Sequence, residues 1–136
     1  MPMVYIWMHE GKTPEYRRQI SDGIHAAMME VLKTPEDVLD HFLNELPRGN
    51  IVYDPNYFDV PRSPDIVYIH FFFNTRPKEQ KAAFFEKVAD EVTARSGLKR
   101  EDLIMAITEV PAENWWAYGR TIDPGTGLDT RMKNGG

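Results

Sequence analysis

The sequence contains no cysteine, which excludes disulfides, thiol catalysis and thiolate metal sites. Long apolar runs are also missing. The longest run, Ile66–Phe73, is interrupted by His70 and is far shorter than the roughly 18 residues that a membrane-spanning helix needs. The N-terminus has no basic segment followed by an apolar one, as a secretory signal peptide would have. We therefore expect a cytoplasmic protein with no membrane partner.

Positive charge is sparse as well. The chain has 16 Lys and Arg residues against 21 Asp and Glu residues, and its net charge is -5. Because nucleic acids bind basic surfaces, this balance argues against a nucleic-acid partner. The 4 histidines show no paired ligand spacing, so no metal site is predicted. Neither a Ser-His-acid arrangement nor a glycine-rich phosphate loop is visible, and we expect no cofactor.

What remains is the composition of an ordinary globular protein. The 136 residues are 42% apolar and 27% charged, which excludes disordered and fibrous classes. This length is enough for one real hydrophobic core and too short for two. We predict a single domain over residues 1–136.

The first strand is the most informative segment. Every residue of Pro2–Met8 is apolar, which predicts a central strand that is buried on both faces. If Met1 is removed, Pro2 carries a free secondary amine beside an apolar interior. An α-amino group has a pKa of about 7.7 to 8.0, and apolar surroundings or a nearby cation favour its neutral form, which is a base. The alternative is that Pro2 is only a frayed terminus.

Apolar spacing and turn residues predict the remaining elements. Thr13-Pro14 begins a helix, and a second helix starts at Pro77 and buries Phe85, Val88 and neighbouring apolar residues. The predicted order is a strand at 2–8, a helix at 14–32, a strand at 40–46, a long ordered loop at 51–64, a strand at 65–73, a helix at 77–96, a strand at 102–110 and a flexible tail at 121–136.

These elements repeat. Glu45 and Glu109 each precede a Pro by two residues, and their separation, 109 minus 45, is 64 residues. The same offset relates Pro2 to Ile66. We therefore predict an α+β fold made of two β-α-β units, 2–50 and 65–114, with two helices on one face of a four-stranded mixed sheet. The other, apolar face lacks a covering element, which indicates another subunit.

Several segments carry a resemblance to a known family. The Met1-Pro2 start and two β-α-β units of this size resemble the tautomerase superfamily over residues 2–120. Within that superfamily, the run from Gly11 to Arg18, Arg76 followed by Glu79-Gln80-Lys81, and the run from Glu109 to Gly119 are similar in order and spacing to the malonate semialdehyde decarboxylase branch. The ending Tyr118-Gly119-Arg120 is similar to the cis-3-chloroacrylic acid dehalogenase branch. The resemblance implies the tautomerase fold, a homotrimer and a catalytic amino-terminal proline.

The resemblance also implies site residues. Pro2 would be the acid or base, and Arg76 would hold a substrate carboxylate, a role that suits the planar fork of guanidinium donors. The decarboxylase branch has an aspartate after the first helix. Asp37 lies one residue before the position that an ungapped register predicts, where Val38 stands, and Asp40 is the next candidate. Both aspartates remain candidates for the site carboxylate.

Other positions refine the comparison. Asn74 lies near the place of a second arginine that some members have, whereas Trp116 and Tyr118 would line an apolar wall of the substrate site or simply pack at an interface. The catalytic glutamate of the dehalogenase branch is Ala117 here, and its histidine is nearest Met28. Dehalogenation is therefore disfavoured.

Two classes of function follow. The first is an enzyme that tautomerises a small oxo acid, with decarboxylation or hydration of a 3-oxo acid as a related outcome. The second is a trimeric binding protein without catalysis. The state of the amino terminus separates them, because a retained Met1 turns the Pro2 nitrogen into a non-basic amide.

Overall fold

The computed structural model describes residues 2–122 of the chain. The main elements are four strands and two helices, followed by a short hairpin. In chain order they are β1 (Met3–His9), α1 (Pro14–Val31), β2 (His41–Leu46), β3 (Val67–Phe73), α2 (Lys78–Ser96), β4 (Leu103–Glu109), β5 (Trp116–Ala117) and β6 (Arg120–Thr121).

The four long strands form one mixed sheet in the order β2-β1-β3-β4. The central pair, β1 and β3, is antiparallel, with Ile6 opposite Ile69. Each outer strand is parallel to the strand that precedes it in its own unit. The prediction of two β-α-β units in a four-stranded mixed sheet is thus confirmed.

Local signals set the helix ends. Thr13 caps α1, because its Oγ1 accepts a hydrogen bond of 3.1 Å from the Tyr16 backbone, and Pro14 occupies the first turn. At the C-terminal end of α2, Gly97 has a φ of 76°. Glycine adopts this left-handed conformation more readily than other residues and therefore often follows the last residue of a helix.

The core lies between the sheet and the two helices. Alternate residues of the central strands point into it, and Phe71 and Phe73 contact Phe84 of α2 edge to face. Val88 and Val92 are buried as predicted, and Phe84, which was not predicted, is fully buried, whereas Phe85 is partly buried and packs against the core. The helices also pack closely on each other, since a Cβ at Gly23 would lie 3.0 Å from the Val92 nitrogen.

The opposite face of the sheet carries no helix. No side chain that it presents on the four long strands is an acid, a lysine or an arginine, and several aromatic rings touch one another across it. We call this surface the open face. It consists of Met3, Tyr5, Trp7, Phe42, Asn44, Leu46, Tyr68, His70, Phe72, Ile104, Ala106 and Thr108. The predicted burial of β1 on both sides is therefore incomplete in the single chain.

The segment 51–64 between β2 and β3 is an ordered loop. Buried Asp102 holds its end, accepting hydrogen bonds of 2.6 Å from both the backbone nitrogen and the hydroxyl of Ser63. At the C-terminal side, Thr121 lies in β6 and Ile122 is buried, so the predicted tail cannot begin at residue 121. The rest of that predicted tail, 123–136, lies outside the described residues. Within residues 2–122, neither helix is long and apolar enough to cross a membrane.

Candidate active site

One end of the sheet gathers the predicted site segments. Met3 is opposite Phe72, which places Pro2 beside the end of β3 and the turn 74–77 that follows. On the other side of β1, the Val4 nitrogen donates a 2.9 Å hydrogen bond to the Asp40 carbonyl. Since β4 also ends at this edge, the segment after Glu109 starts there too. Pro2, Asp40 and the turn carrying Arg76 therefore lie on neighbouring strand ends.

Arg76 is half-buried and held at two points. Its backbone nitrogen donates a 2.6 Å hydrogen bond to Glu109 Oε2, and its Nη1 donates a 3.0 Å bond to the Leu32 carbonyl just beyond α1. Burial lowers the pKa of Arg76 from its ordinary value, but a guanidinium remains charged in proteins. The bond to Leu32 uses one of five donors, so the fork still has N–H groups for an anion.

Glu109 joins this turn to α2. Its Oε1 accepts a 3.0 Å hydrogen bond from Lys81 Nζ while its Oε2 accepts the Arg76 backbone N–H. The Arg76 backbone bond, followed by the Lys81 bond, lowers the pKa of Glu109. The carboxylate is therefore charged at neutral pH.

The two candidate aspartates differ in their surroundings. Asp37 is exposed in the turn between α1 and β2, whereas Asp40 is half-buried and directly precedes β2. Asp40 Oδ2 accepts a 3.1 Å hydrogen bond from the Tyr118 hydroxyl. The structure thus brings Asp40 together with Tyr118 beside the start of β1.

Tyr118 belongs to a tight hairpin. Tyr118 and Gly119 join β5 to β6 and have φ values of 58° and 86°, as expected when both central turn residues are left-handed. This conformation is uncommon for a tyrosine. The neighbouring Trp115 anchors the hairpin through a 3.0 Å hydrogen bond from its Nε1 to the Val110 carbonyl.

The remaining predicted residues lie around the same edge. Asn74 is half-buried directly after β3, and Trp116 on β5 is 68% exposed. Tyr118 is 46% exposed, so the hairpin presents two aromatic side chains that a substrate or a second subunit could cover. Among residues 2–122, no group of three or more histidines and carboxylates is arranged to hold a metal ion.

Comparison with known proteins assigns the chain to a family. Two profiles, both described as a tautomerase enzyme, match residues 40–116 and residues 2–60. The chain belongs to the tautomerase family. A relative, the probable tautomerase YusQ of Bacillus subtilis (strain 168), is 29% identical over 116 residues, which are 85% of this chain and 91% of the relative.

Solved tautomerase-fold structures are similar over most of the chain. FG41 malonate semialdehyde decarboxylase inhibited by 3-bromopropiolate has a TM-score of 0.80 and 28% identity, covering 88% of this chain and 92% of that one. The Q0 fused 4-OT wild-type symmetric trimer has a TM-score of 0.74 and 14% identity, covering 88% and 94%. At 14% identity, the similarity to the 4-OT structure is evidence for the fold alone.

Two contacts of this tautomerase site were not anticipated from the sequence. One is the Tyr118–Asp40 hydrogen bond, which joins residues 78 positions apart and has no local pattern. The other is the bond that the Arg76 backbone nitrogen donates to Glu109. The internal repeat signals only the neighbouring Glu109–Lys81 ion pair, since the 64-residue offset that relates Glu45 to Glu109 also relates Arg17 to Lys81.

Proposed function

We propose that this tautomerase uses Pro2, freed of Met1, as the general base and acid in keto–enol tautomerisation of a small oxo carboxylic acid. The observation that carries the proposal is the convergence of Pro2, Arg76 and Asp40 on one end of the sheet. An amine that moves a proton needs no cofactor.

The chemistry is a transfer of one proton between carbon and oxygen. The neutral Pro2 nitrogen takes a proton from the carbon beside the carbonyl, and the electron pair of that C–H bond forms the enol double bond. The carbonyl oxygen then receives a proton, and the reverse sequence regenerates the keto acid. General acid–base catalysis of this kind typically contributes about a hundredfold to ten-thousandfold.

Arg76 would hold the substrate carboxylate through the donors of its fork that the Leu32 carbonyl does not use. Asp40 is the better placed of the two aspartates to polarise a water or a carbonyl partner, because it adjoins β1 and bonds Tyr118. Trp116, Tyr118 and Asn74 would complete the wall of the site. Asp37, in its exposed turn, would then serve the turn itself.

A homotrimer would cover the open face and enclose this edge. A sheet face without charged side chains is costly to leave in water, and the fused 4-OT structure of the same fold is a trimer. Because Trp116 is largely exposed in the single chain, a neighbouring subunit would narrow the site and exclude water from it.

Decarboxylation of a malonate semialdehyde-type 3-oxo acid is the second candidate. It is favoured by the similarity to FG41 malonate semialdehyde decarboxylase, whose TM-score is 0.80. The same residues would serve. Arg76 would hold the carboxylate, the C–C bond to it would break to release carbon dioxide, and the electron pair would pass to the neighbouring carbonyl oxygen, which Asp40 would help to polarise through a water. Protonated Pro2 would then give a proton to the carbon.

The test is an intact mass of the purified protein, combined with assays on phenylenolpyruvate for tautomerisation and malonate semialdehyde for decarboxylation. Protein lacking Met1 should be active, and kcat/KM should rise with pH as the Pro2 amine becomes neutral. Pro2→Ala keeps a primary amine and should retain a small part of this activity.

The decisive comparison is a form that keeps Met1, for example one with a bulky second residue that blocks removal. Its amide nitrogen cannot accept a proton, so activity should be almost absent. Full activity in protein shown by mass to retain Met1 would exclude Pro2 as the base. Inactivity of every form on both substrates would favour a binding protein.

A further inference from the structure

We propose that Glu109 is a positioning residue, which fixes the backbone of the turn 74–77 so that the Arg76 guanidinium faces the Pro2 site. This inference rests on the proposed function, because it concerns the orientation of the carboxylate-binding arginine. Glu109 itself lies at the end of β4 and acts only through Arg76.

The contacts show how Arg76 is oriented. Among residues 2–122, its side chain hydrogen-bonds one group, the Leu32 carbonyl, at 3.0 Å. A single hydrogen bond lets a guanidinium pivot about the bonded nitrogen. The second point is the backbone bond of 2.6 Å to Glu109 Oε2, a short, charge-assisted bond of the stronger kind. Together the two bonds fix the start and the end of the side chain.

Glu109 is itself held in place. Its other oxygen accepts from Lys81 Nζ at 3.0 Å, and Lys81 lies in the first turns of α2. Glu109 thus clamps the turn 74–77 to the end of β4 through Oε2, while Oε1 separately pairs with Lys81 of α2. Loss of this carboxylate would free the turn while leaving the sheet and both helices intact.

The internal repeat shows that the ion pair and the clamp are separate features. In the first unit, Glu45 pairs with Arg17 at 3.2 Å, and both residues lie 64 positions before Glu109 and Lys81. In this first unit the cation, not the carboxylate, bonds the turn between β1 and α1, because Arg17 Nη1 donates to the Lys12 carbonyl at 2.9 Å. Within residues 2–122, the carboxylate bonds the turn only in the second unit, and that turn carries Arg76.

This repeat supplies a matched control. The glutamates of the two ion pairs have nearly equal side-chain exposure, 31% for Glu45 and 29% for Glu109. Glu45→Ala and Glu109→Ala therefore remove comparable contacts from comparable strand ends. They differ in the end of the sheet at which they act, since Glu45 lies at the end opposite Pro2.

Glu109→Ala should raise KM for a carboxylate substrate and lower kcat/KM about tenfold, with a smaller change in kcat. Misplacement of a positioning group by about 1 Å can cost up to about a hundredfold. Glu109→Gln keeps an acceptor for the Arg76 backbone and should restore most of the loss. Lys81→Met removes only the ion pair and should have little effect, as should Glu45→Ala.

Arg76→Ala provides the reference. It should lower kcat/KM roughly ten- to hundredfold, and adding Glu109→Ala to it should change nothing more, because the two residues act as a unit. If Arg76→Ala leaves the kinetics unchanged, the carboxylate-binding role of Arg76 in the proposed function fails.

Other outcomes would overturn the positioning role alone. These are a large effect of Arg76→Ala with none of Glu109→Ala, an equal loss in Lys81→Met or Glu45→Ala, or an additive loss in the double variant. Circular dichroism spectra and unfolding midpoints of all variants identify any that fail to fold. If Glu109→Ala does not fold, Glu109→Gln alone and Glu109→Gln combined with Arg76→Ala still decide the question.

Discussion

His41 is the residue whose environment departs most from that of its free side chain. It begins β2 on the helix side of the sheet, where its Nδ1 lies 2.7 Å from the Ser21 hydroxyl and its ring meets that of His25. Burial, with a smaller contribution from His25, lowers the pKa of His41 from 6.5 to about 4. The folded protein therefore holds this imidazole neutral where the unfolded chain would protonate it.

The direction of the pH effect follows from this difference. Above pH 6.5 both states are neutral and the stability is fully present. Between pH 6.5 and about 4 the unfolded chain binds a proton that the folded chain does not, so stability falls with pH. A shift of this size corresponds to about 3 kcal/mol, lost in full below pH 4. His41→Asn keeps a polar group near Ser21 and removes the titration.

Urea unfolding at a series of pH values and one protein concentration would measure it. The wild type should lose about 2 to 3 kcal/mol more than His41→Asn between pH 7 and pH 4. Parallel curves for the two proteins would show that His41 is not buried neutral. Carboxylates titrate equally in both proteins and cancel in the difference.

At the scale of single residues, the sequence could place site residues near one another but could not choose between them. The family resemblance implied Pro2 and Arg76, and the repeat places both at one end of the sheet because the turn 74–77 follows β3. The choice between Asp37 and Asp40 depended on which one lies beside β1, and a shift of three residues in a loop has no periodic signal. Phe84 and Phe85 posed the same difficulty, since adjacent helical residues differ by only about 100° in direction.

At the scale of elements, the contact between α1 and α2 depends on one glycine. A Cβ at Gly23 would lie 3.0 Å from Val92 N and 3.1 Å from Val92 Cα and Glu91 C, all of them backbone atoms that cannot rotate away. Alanine is favoured over glycine in a helix by about 1 kcal/mol. Here the helices must separate to admit the methyl group, and overpacking of this kind typically costs about 1 to 3 kcal/mol.

Gly23→Ala should therefore destabilise the protein, by up to about 2 kcal/mol, despite its better helix propensity. Asp22→Ala is the matched control, because residue 22 is the exposed neighbour on the same helix. That control should change stability by no more than about 0.5 kcal/mol. Thermal or urea unfolding would measure both, and a stabilised Gly23→Ala would mean that the helices are free to move apart.

The long elements were predictable, whereas the short ones were not. Both helices begin with proline-containing turns and carry apolar residues at helical spacing, and the strands repeat at a 64-residue offset. By contrast, β5 and β6 are two residues each, and their hairpin is held by Trp115 and by a turn with Tyr118 in the left-handed conformation. A pattern that short cannot be distinguished from a loop in the sequence.

At the scale of the molecule, the open face is the surface through which the proposed trimer would form. Tyr5 at its centre contacts Trp7, Phe42 and Phe72 edge to face, so the aromatic side chains form one continuous surface. The face is bounded by Phe42 on β2 and Ile104 on β4, which are 50% and 39% exposed in the single chain. A trimer that buries this surface removes it from water, at about 25 cal/mol per Å² of apolar area.

A charge on this face should therefore dissociate the trimer without unfolding the chain. Phe42→Glu and Ile104→Glu each place a carboxylate at a position that is hydrated in the monomer but desolvated and repeated three times in the trimer. Ala83→Glu is the control, because residue 83 is exposed on α2, away from the open face.

Light scattering at micromolar concentration should give three times the chain mass for the wild type and Ala83→Glu, and the monomer mass for the two open-face variants. Circular dichroism should remain that of a folded α+β protein, and kcat/KM should fall in the monomers because Trp116 and Tyr118 would lose the subunit that covers them. A wild type that is monomeric yet fully active would show that the open face is not an interface and that the site is complete within one chain.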